Sequence, residues 1–178
     1  MIRALSAAVL AGLLALPTLA AETKYKLDGE NTKVEFTGTK KGGKHDGGFK
    51  KVSGTASTDG GALTKIEVEI DTDSLYSDNE KLTGHLKNPD FFGVKDNPKA
   101  SFKTTKVEKT ATGYTVTGDL TLLGKTKAVT FPATVTEADG KLTVKSEFKI
   151  NRTDWGMVYG KGMIDDDVAL KVSVSAKK

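Results

Sequence analysis

Residues 114–136 read YTVTGDLTLLGKTKAVTFPATVT, and from Tyr114 to Leu122 large apolar and polar side chains take turns. Tyr114, Val116, Leu120 and Leu122 therefore share one face of an extended chain, with threonines and Asp119 on the other, which is the pattern of a strand buried on one side. The LLGK turn from Leu122 to Lys125 and the run from Lys125 to Thr136 add a return strand, so the pair reads as an antiparallel hairpin.

The same alternation recurs along the chain. KIEVEI at 65–70 groups Ile66, Val68 and Ile70; residues 142–150 group Leu142, Val144, Phe148 and Ile150; residues 168–176 group Val168, Leu170, Val172 and Val174. Shorter candidates are Lys33–Thr39, Lys44–Ser57 with a break near Lys50, and Lys99–Val107. Turn signals at Thr58, Ala111 and Ala138 separate them. About eight such strands predict an all-β sandwich or barrel. Small or medium inward positions, Val34, Ala56, Ala100, Val116, Gly118 and Ala133, would leave room in the bore of a barrel.

One segment breaks the rhythm. From Asp73 to Pro98, Leu75, Leu82, Leu86, Phe91 and Phe92 recur at threes, fours and sevens, which predicts one or two short helices. Ser77 or Asp78 is the expected N-cap, and Pro89 opens a last turn closed by Gly93. On a strand the adjacent Phe91 and Phe92 would point to opposite faces, whereas a helix or loop lets both face one apolar hole. An excursion of this length between strands is characteristic of lids and binding loops.

The chain of 178 residues opens on a segment with Arg3, an apolar run from Ala4 to Leu16, Pro17 and then small residues. This is the pattern of a secretory leader, and the run falls short of the roughly 20 apolar residues of a membrane span. Cleavage is expected after Ala20, leaving one domain over residues 21–178 and a periplasmic or secreted protein. There is no cysteine, hence neither a lipid-modified cysteine nor a disulfide. The formal charge is +4, and apart from Arg3 the only arginine is Arg152. Nucleic-acid readers cluster basic residues and favour arginine, so nucleic acid is not an expected partner. The lysines, interleaved with Asp and Glu, read as a solvated surface, with attraction to anionic lipid head groups as the functional alternative.

Motifs for chemistry fail on spacing. GDLTLLGKT at 118–126 has five residues between its glycines where a phosphate-binding loop has four, and it sits in a strand–turn–strand context. His45 and His85 are far apart, and Asp165, Asp166 and Asp167 lack the alternation and glycine of a calcium loop. No catalytic residue, metal site or cofactor is expected. Arg152, in INRTDWGM, has two readings: a planar fork for a ligand's carboxylate, phosphate or carbonyl, or a structural ion pair.

Three blocks carry a resemblance: HLKNPDFFGVKDNPKASF at 85–102, GDLTLLGKTKAVTFP at 118–132, and INRTDWG followed by DDDVALKVSVSA. With the opening YKLDGENTKVEF, their order from about Thr23 to Ala176 resembles the YceI-like family of periplasmic polyisoprenoid-binding proteins. The resemblance implies an eight-stranded antiparallel, lipocalin-like barrel with a short helical insertion near its opening. It also implies a ligand-binding lining, carried over to Leu86, Phe91, Phe92, Phe102, Leu120, Leu122 and Trp155, with Arg152 beside them. Phe36, Leu75, Leu82, Phe131 and Phe148 complete the candidate set. The expected protein is not an enzyme. It holds an isoprenoid or other long-chain lipid, of quinone or prenyl phosphate type, for carriage, storage or protection, with transient membrane contact and a homodimer compatible with that role. A small cavity enzyme and a solid-core stress or interaction module are the alternatives.

Overall fold

The structure is a computed structural model that describes residues 22–178; the expected leader lies outside the described residues. Eleven strands form: β1 (Thr23–Asp28), β2 (Thr32–Lys40), β3 (Gly43–Phe49), β4 (Val52–Asp59), β5 (Ala62–Asp71), β6 (Leu75–Ser77), β7 (Lys99–Lys109), β8 (Tyr114–Leu122), β9 (Lys125–Ala138), β10 (Lys141–Asn151) and β11 (Ile164–Lys177). They make one curled antiparallel sheet in the order β1-β4-β5-β7-β8-β9-β10-β11-β2-β3-β6. The all-β, lipocalin-like class is the expected one; the number of strands is higher than eight. Three additions account for it. The opening segment forms β1, the expected Lys44–Ser57 strand divides into β3 and β4 at Lys50, and the three-residue β6 pairs with β3.

β1 and β2 are separated by a tight turn in which Asp28 Oδ1 accepts from the Glu30 and Asn31 amides, while Asn31 Oδ1 accepts from that of Asp28. Asp and Asn favour such turns because their short side chains replace the missing ladder bonds.

β9 joins the two halves of the sheet. Its first part, Lys125–Ala133, pairs with β8, and its last part, Thr134–Ala138, pairs with β10. Beyond Lys145, β10 leaves β9. Pro132, which has no N–H to donate, stands at the parting, where the Ser146 hydroxyl donates to its carbonyl at 2.6 Å. Trp155 lies over the same cleft, its indole N–H bonded to the Leu120 carbonyl at 3.1 Å.

Inward side chains close one end of the curl. Tyr25, Leu27, Val116 and Leu142 are fully buried there, and Phe131 stacks on Phe148 at 4.3 Å and meets Phe102 at 5.4 Å. Gly118 lets Phe102 lie across β8, since a Cβ at that position would collide with the ring and with the Lys103 carbonyl. Of the small inward residues, Ala56, Val116 and Ala133 thus face a filled core, not a bore.

At the floor of that core the Tyr25 hydroxyl, the Thr58 hydroxyl and Glu137 Oε2 are buried near one another, and none of the three has a hydrogen-bond partner of ordinary geometry among the described residues. The hydroxyls of Thr58 and then Tyr25 hold the Glu137 carboxyl below the usual glutamate range. Such a group stabilises the fold above its unfolded pKa and loses that contribution as pH falls through the folded value. Glu137→Gln is therefore expected to flatten the acid limb of stability below about pH 4.3, measured by urea unfolding at stepped pH against the wild type.

Candidate functional site

The open end of the curl is roofed by the excursion between β6 and β7. Its helix α1 (Glu80–Lys87) is capped by Asn79, whose side chain accepts from the Leu82 amide at 3.0 Å. The expected caps are displaced: Ser77 is the last residue of β6, and Asp78 turns to His45. Asn79 satisfies the rule for an N-cap equally well, one residue later. After α1 the chain turns without a second helix, through Phe92 N–H to Leu86 O and Gly93 N–H to Asn88 O, with Gly93 at φ +49°. This turn explains the adjacent phenylalanines. Phe91 packs edge-on against His85 at 5.0 Å and at a tilt against Tyr159 at 5.2 Å, while Phe92 meets Phe49 edge-on at 5.6 Å.

Between roof and floor lies a cavity of about 390 Å³. Its walls are Val34, Phe36 and Gly38 of β2, Phe49 of β3, Ile70 of β5, Leu120 and Leu122 of β8, Ile150 of β10, and Val168 and Leu170 of β11. Leu82, His85 and Leu86 of α1 with Phe91 and Phe92 form the roof, and Met157, Tyr159 and Ile164 close the side. The lining contains no carboxylate. Its opening is marked by Lys40 and Tyr159, the two lining residues that are exposed to solvent.

The two histidines of the lining are already engaged by carboxylates outside it. His45 Nδ1 meets Asp78 Oδ1 at 2.9 Å, and His85 Nε2 meets Asp90 Oδ2 at 3.3 Å. The Asp78 carboxyl is held below its ordinary range, first by the Asp46 amide and then by His45. Among the described residues no three His, Cys, Asp or Glu side chains converge as a metal site.

Arg152 settles between its two readings. It is 4% exposed, on the short 3₁₀ turn Arg152–Trp155. Its Nε donates to Asp165 O, Nη1 to Met157 O and Tyr159 O, and Nη2 to Ile164 O and Asp166 Oδ1, at 2.6 to 3.3 Å. A guanidinium has five N–H donors, and all are spent on the loop from Gly156 to Asp166. Arg152 touches the cavity but has no donor left for a ligand's head group; its role is to shape one wall.

Of the candidate lining, Phe36, Leu82, Leu86, Phe91, Phe92, Leu120, Leu122 and Arg152 come together around the cavity. Leu75 is buried behind the roof among Leu86 and Phe91. Phe102, Phe131 and Phe148 form the packed floor, and Trp155 covers the β9–β10 cleft. Those five point inward or are buried as read, but at a height the cavity does not reach. Period-two alternation reports which face a residue takes, not its position along the barrel axis. For the same reason Ile150, Val168 and Leu170 were inward by pattern yet unassigned to the lining, and Met157 and Tyr159 carry no periodic signal in their glycine-rich loop.

A larger hollow of about 810 Å³ lies on the outer face, lined by Glu35, Asp46, Tyr76, Asp78, Glu147, Lys149 and Lys171 among others. Its walls carry four carboxylates and two lysines and stand open to solvent, so size does not make it the binding site for an apolar guest.

A curled antiparallel sheet with one packed end and one roofed apolar cavity defines a lipocalin-like barrel. The chain belongs to the YceI-like family, whose domain model matches residues 25–176. It is 32% identical to the UPF0312 protein of Serratia proteamaculans over 88% of this chain and 86% of that one. A UPF0312 protein of Pseudomonas putida is 33% identical, covering 90% and 88%. Among solved structures, BcnA of Burkholderia cenocepacia aligns with a TM-score of 0.75 at 26% identity, over 82% of this chain and 96% of that one. A polyisoprenoid binding domain from Saccharophagus degradans shares the fold, with a TM-score of 0.68 at 16% identity over 90% and 99%.

Proposed function

We propose that this protein is a periplasmic or secreted carrier that holds the hydrocarbon of an isoprenoid or similar amphiphilic lipid in the roofed cavity, with the head group at the mouth. The observation that carries this reading is the cavity itself: about 390 Å³, walled by aliphatic and aromatic side chains, free of carboxylates, and open at one rim. Burying ten chain carbons from water contributes about 8 kcal/mol, on the order of micromolar binding without any polar anchor. If each heavy atom takes the ~30 Å³ of a liquid water molecule, the volume admits roughly a dozen. That is between two and three prenyl units, so a longer chain extends through the mouth. The S. degradans domain named for polyisoprenoid binding has the same fold, which supports a guest of that class. An enzyme acting here would need a free ionisable group deep in the cavity, and the deeply buried one, Arg152, is fully engaged.

Expression of the full chain with its leader, gentle isolation, organic extraction and mass spectrometry test the proposal. The expected result is a co-purifying lipid that fragments by successive prenyl losses, on a polypeptide whose first residue is Ala21. A bare polypeptide mass under native conditions would point to the solid-core alternative.

A further inference from the structure

Among the described residues, the exposed large hydrophobic side chains are Val158, Tyr159 and Met163, and all belong to one loop. Val158 is 60% and Met163 68% exposed. The loop is not loose: Arg152 donates to the carbonyls of Met157 and Tyr159, and Gly160 O accepts from both Met163 and Ile164 amides. A framework this well bonded could have turned polar side chains outward, yet it presents apolar ones to water, which marks an interaction site.

Two neighbours say what kind. The first is charge. Ile164 pairs with Lys40 on β2 and bridges to Lys161, placing the loop beside the β2–β3 hairpin tip with exposed Lys40, Lys41 and Lys44. Among the described residues Lys40, Lys41 and Lys161 have no carboxylate within ion-pair distance; Lys44 is paired with Asp46 at 3.1 Å. Of the acids that open β11, Asp165 is bonded to Thr39 and Asp166 to Arg152, while Asp167 is exposed without a side-chain partner among the described residues. The second is the cavity. Tyr159 and Lys40 line its mouth while reaching solvent, so the apolar knuckle and its lysines stand at the entrance.

We infer that this loop and hairpin tip dock the protein on an anionic lipid bilayer, with Val158 and Met163 entering the acyl boundary, the lysines at the head groups, and the cavity mouth facing the membrane. An apolar tip ringed by unpaired cations is the chemistry of interfacial binding. This rests on the carrier reading and deepens it, since cargo would then pass between bilayer and cavity without crossing water.

The test uses the mature protein and vesicles of phosphatidylcholine with and without equimolar phosphatidylglycerol. Wild type should co-sediment with the mixed vesicles. V158S/M163S should weaken this about tenfold or more through lost apolar contact, and K41E/K161E should do so about tenfold or more through lost attraction. A tryptophan placed by Val158→Trp should shift to the blue on mixed vesicles. V158S/M163S should keep its extractable lipid, so docking and cargo are read separately: vesicle binding by a protein without cargo would overturn the carrier reading and leave docking intact. Failure of wild type to bind vesicles, undiminished binding of V158S/M163S, or an unshifted tryptophan overturns docking. So does sedimentation of wild type as a dimer that V158S/M163S dissolves, with no vesicle binding, because a second copy would then be the occupant.

Discussion

Arg152→Ala will lower the unfolding free energy by about 3 kcal/mol, within the range for removing one partner of a buried charged hydrogen-bonded set. For a domain of this size that corresponds to roughly 6–12 °C in Tm. The loss follows from the accounting of donors: four main-chain carbonyls of the Met157–Asp165 loop and the Asp166 carboxylate all depend on one guanidinium. Arg152→Lys keeps the charge but supplies a single ammonium that cannot span the same carbonyls, so it should fall between alanine and wild type. The loop also provides Met157, Tyr159 and Ile164 to the cavity. Lipid retention by Arg152→Ala should therefore fall along with stability, and thermal denaturation followed by extraction of the folded fraction reads both. A variant as stable as wild type would mean the loop holds itself.

Phe92→Asp separates binding from folding. Phe92 is half-buried, lines the cavity and packs on Phe49, while the floor core of Tyr25, Leu142, Phe131 and their neighbours does not include it. A carboxylate there meets no cation of the lining other than the engaged Arg152 and the residues at the rim, and desolvating it would cost several kcal/mol. The expected result is a folded barrel that yields no lipid, judged by circular dichroism and by mass spectrometry of the extract. Ile150→Trp is the companion, since it occupies the cavity without adding charge and should displace cargo through volume alone. Full lipid content in both variants would place the guest elsewhere.

Much of this was legible in the chain itself. Alternation at Tyr114–Leu122, Leu142–Ile150 and Val168–Ala176 identified strands and their buried faces, because a half-buried strand imposes a period of two on its residues. The switch of spacing after Asp73 located the roof. Depth was not legible: Phe102 and Leu120 are cross-strand partners, yet one ring packs the floor and the other side chain lines the cavity, a difference set by how the sheet curls. The use of Arg152 was legible in part: the ion-pair reading holds with Asp166, but its other four partners are main-chain carbonyls, which every sequence supplies and none advertises. The very short β6 escaped for a related reason: three residues carry too little pattern to stand out beside the helix that follows.

The parting of β9 and β10 has a mechanical consequence. Along most of the wall, girth is locked by the ladder of inter-strand bonds, and widening it would break them. Above Lys145 no rung connects those two strands, and the cleft is held only by Ser146, by Trp155 and by packing. The container therefore has an unlaced seam at the level of the cavity, a place where widening would break no rung of the ladder.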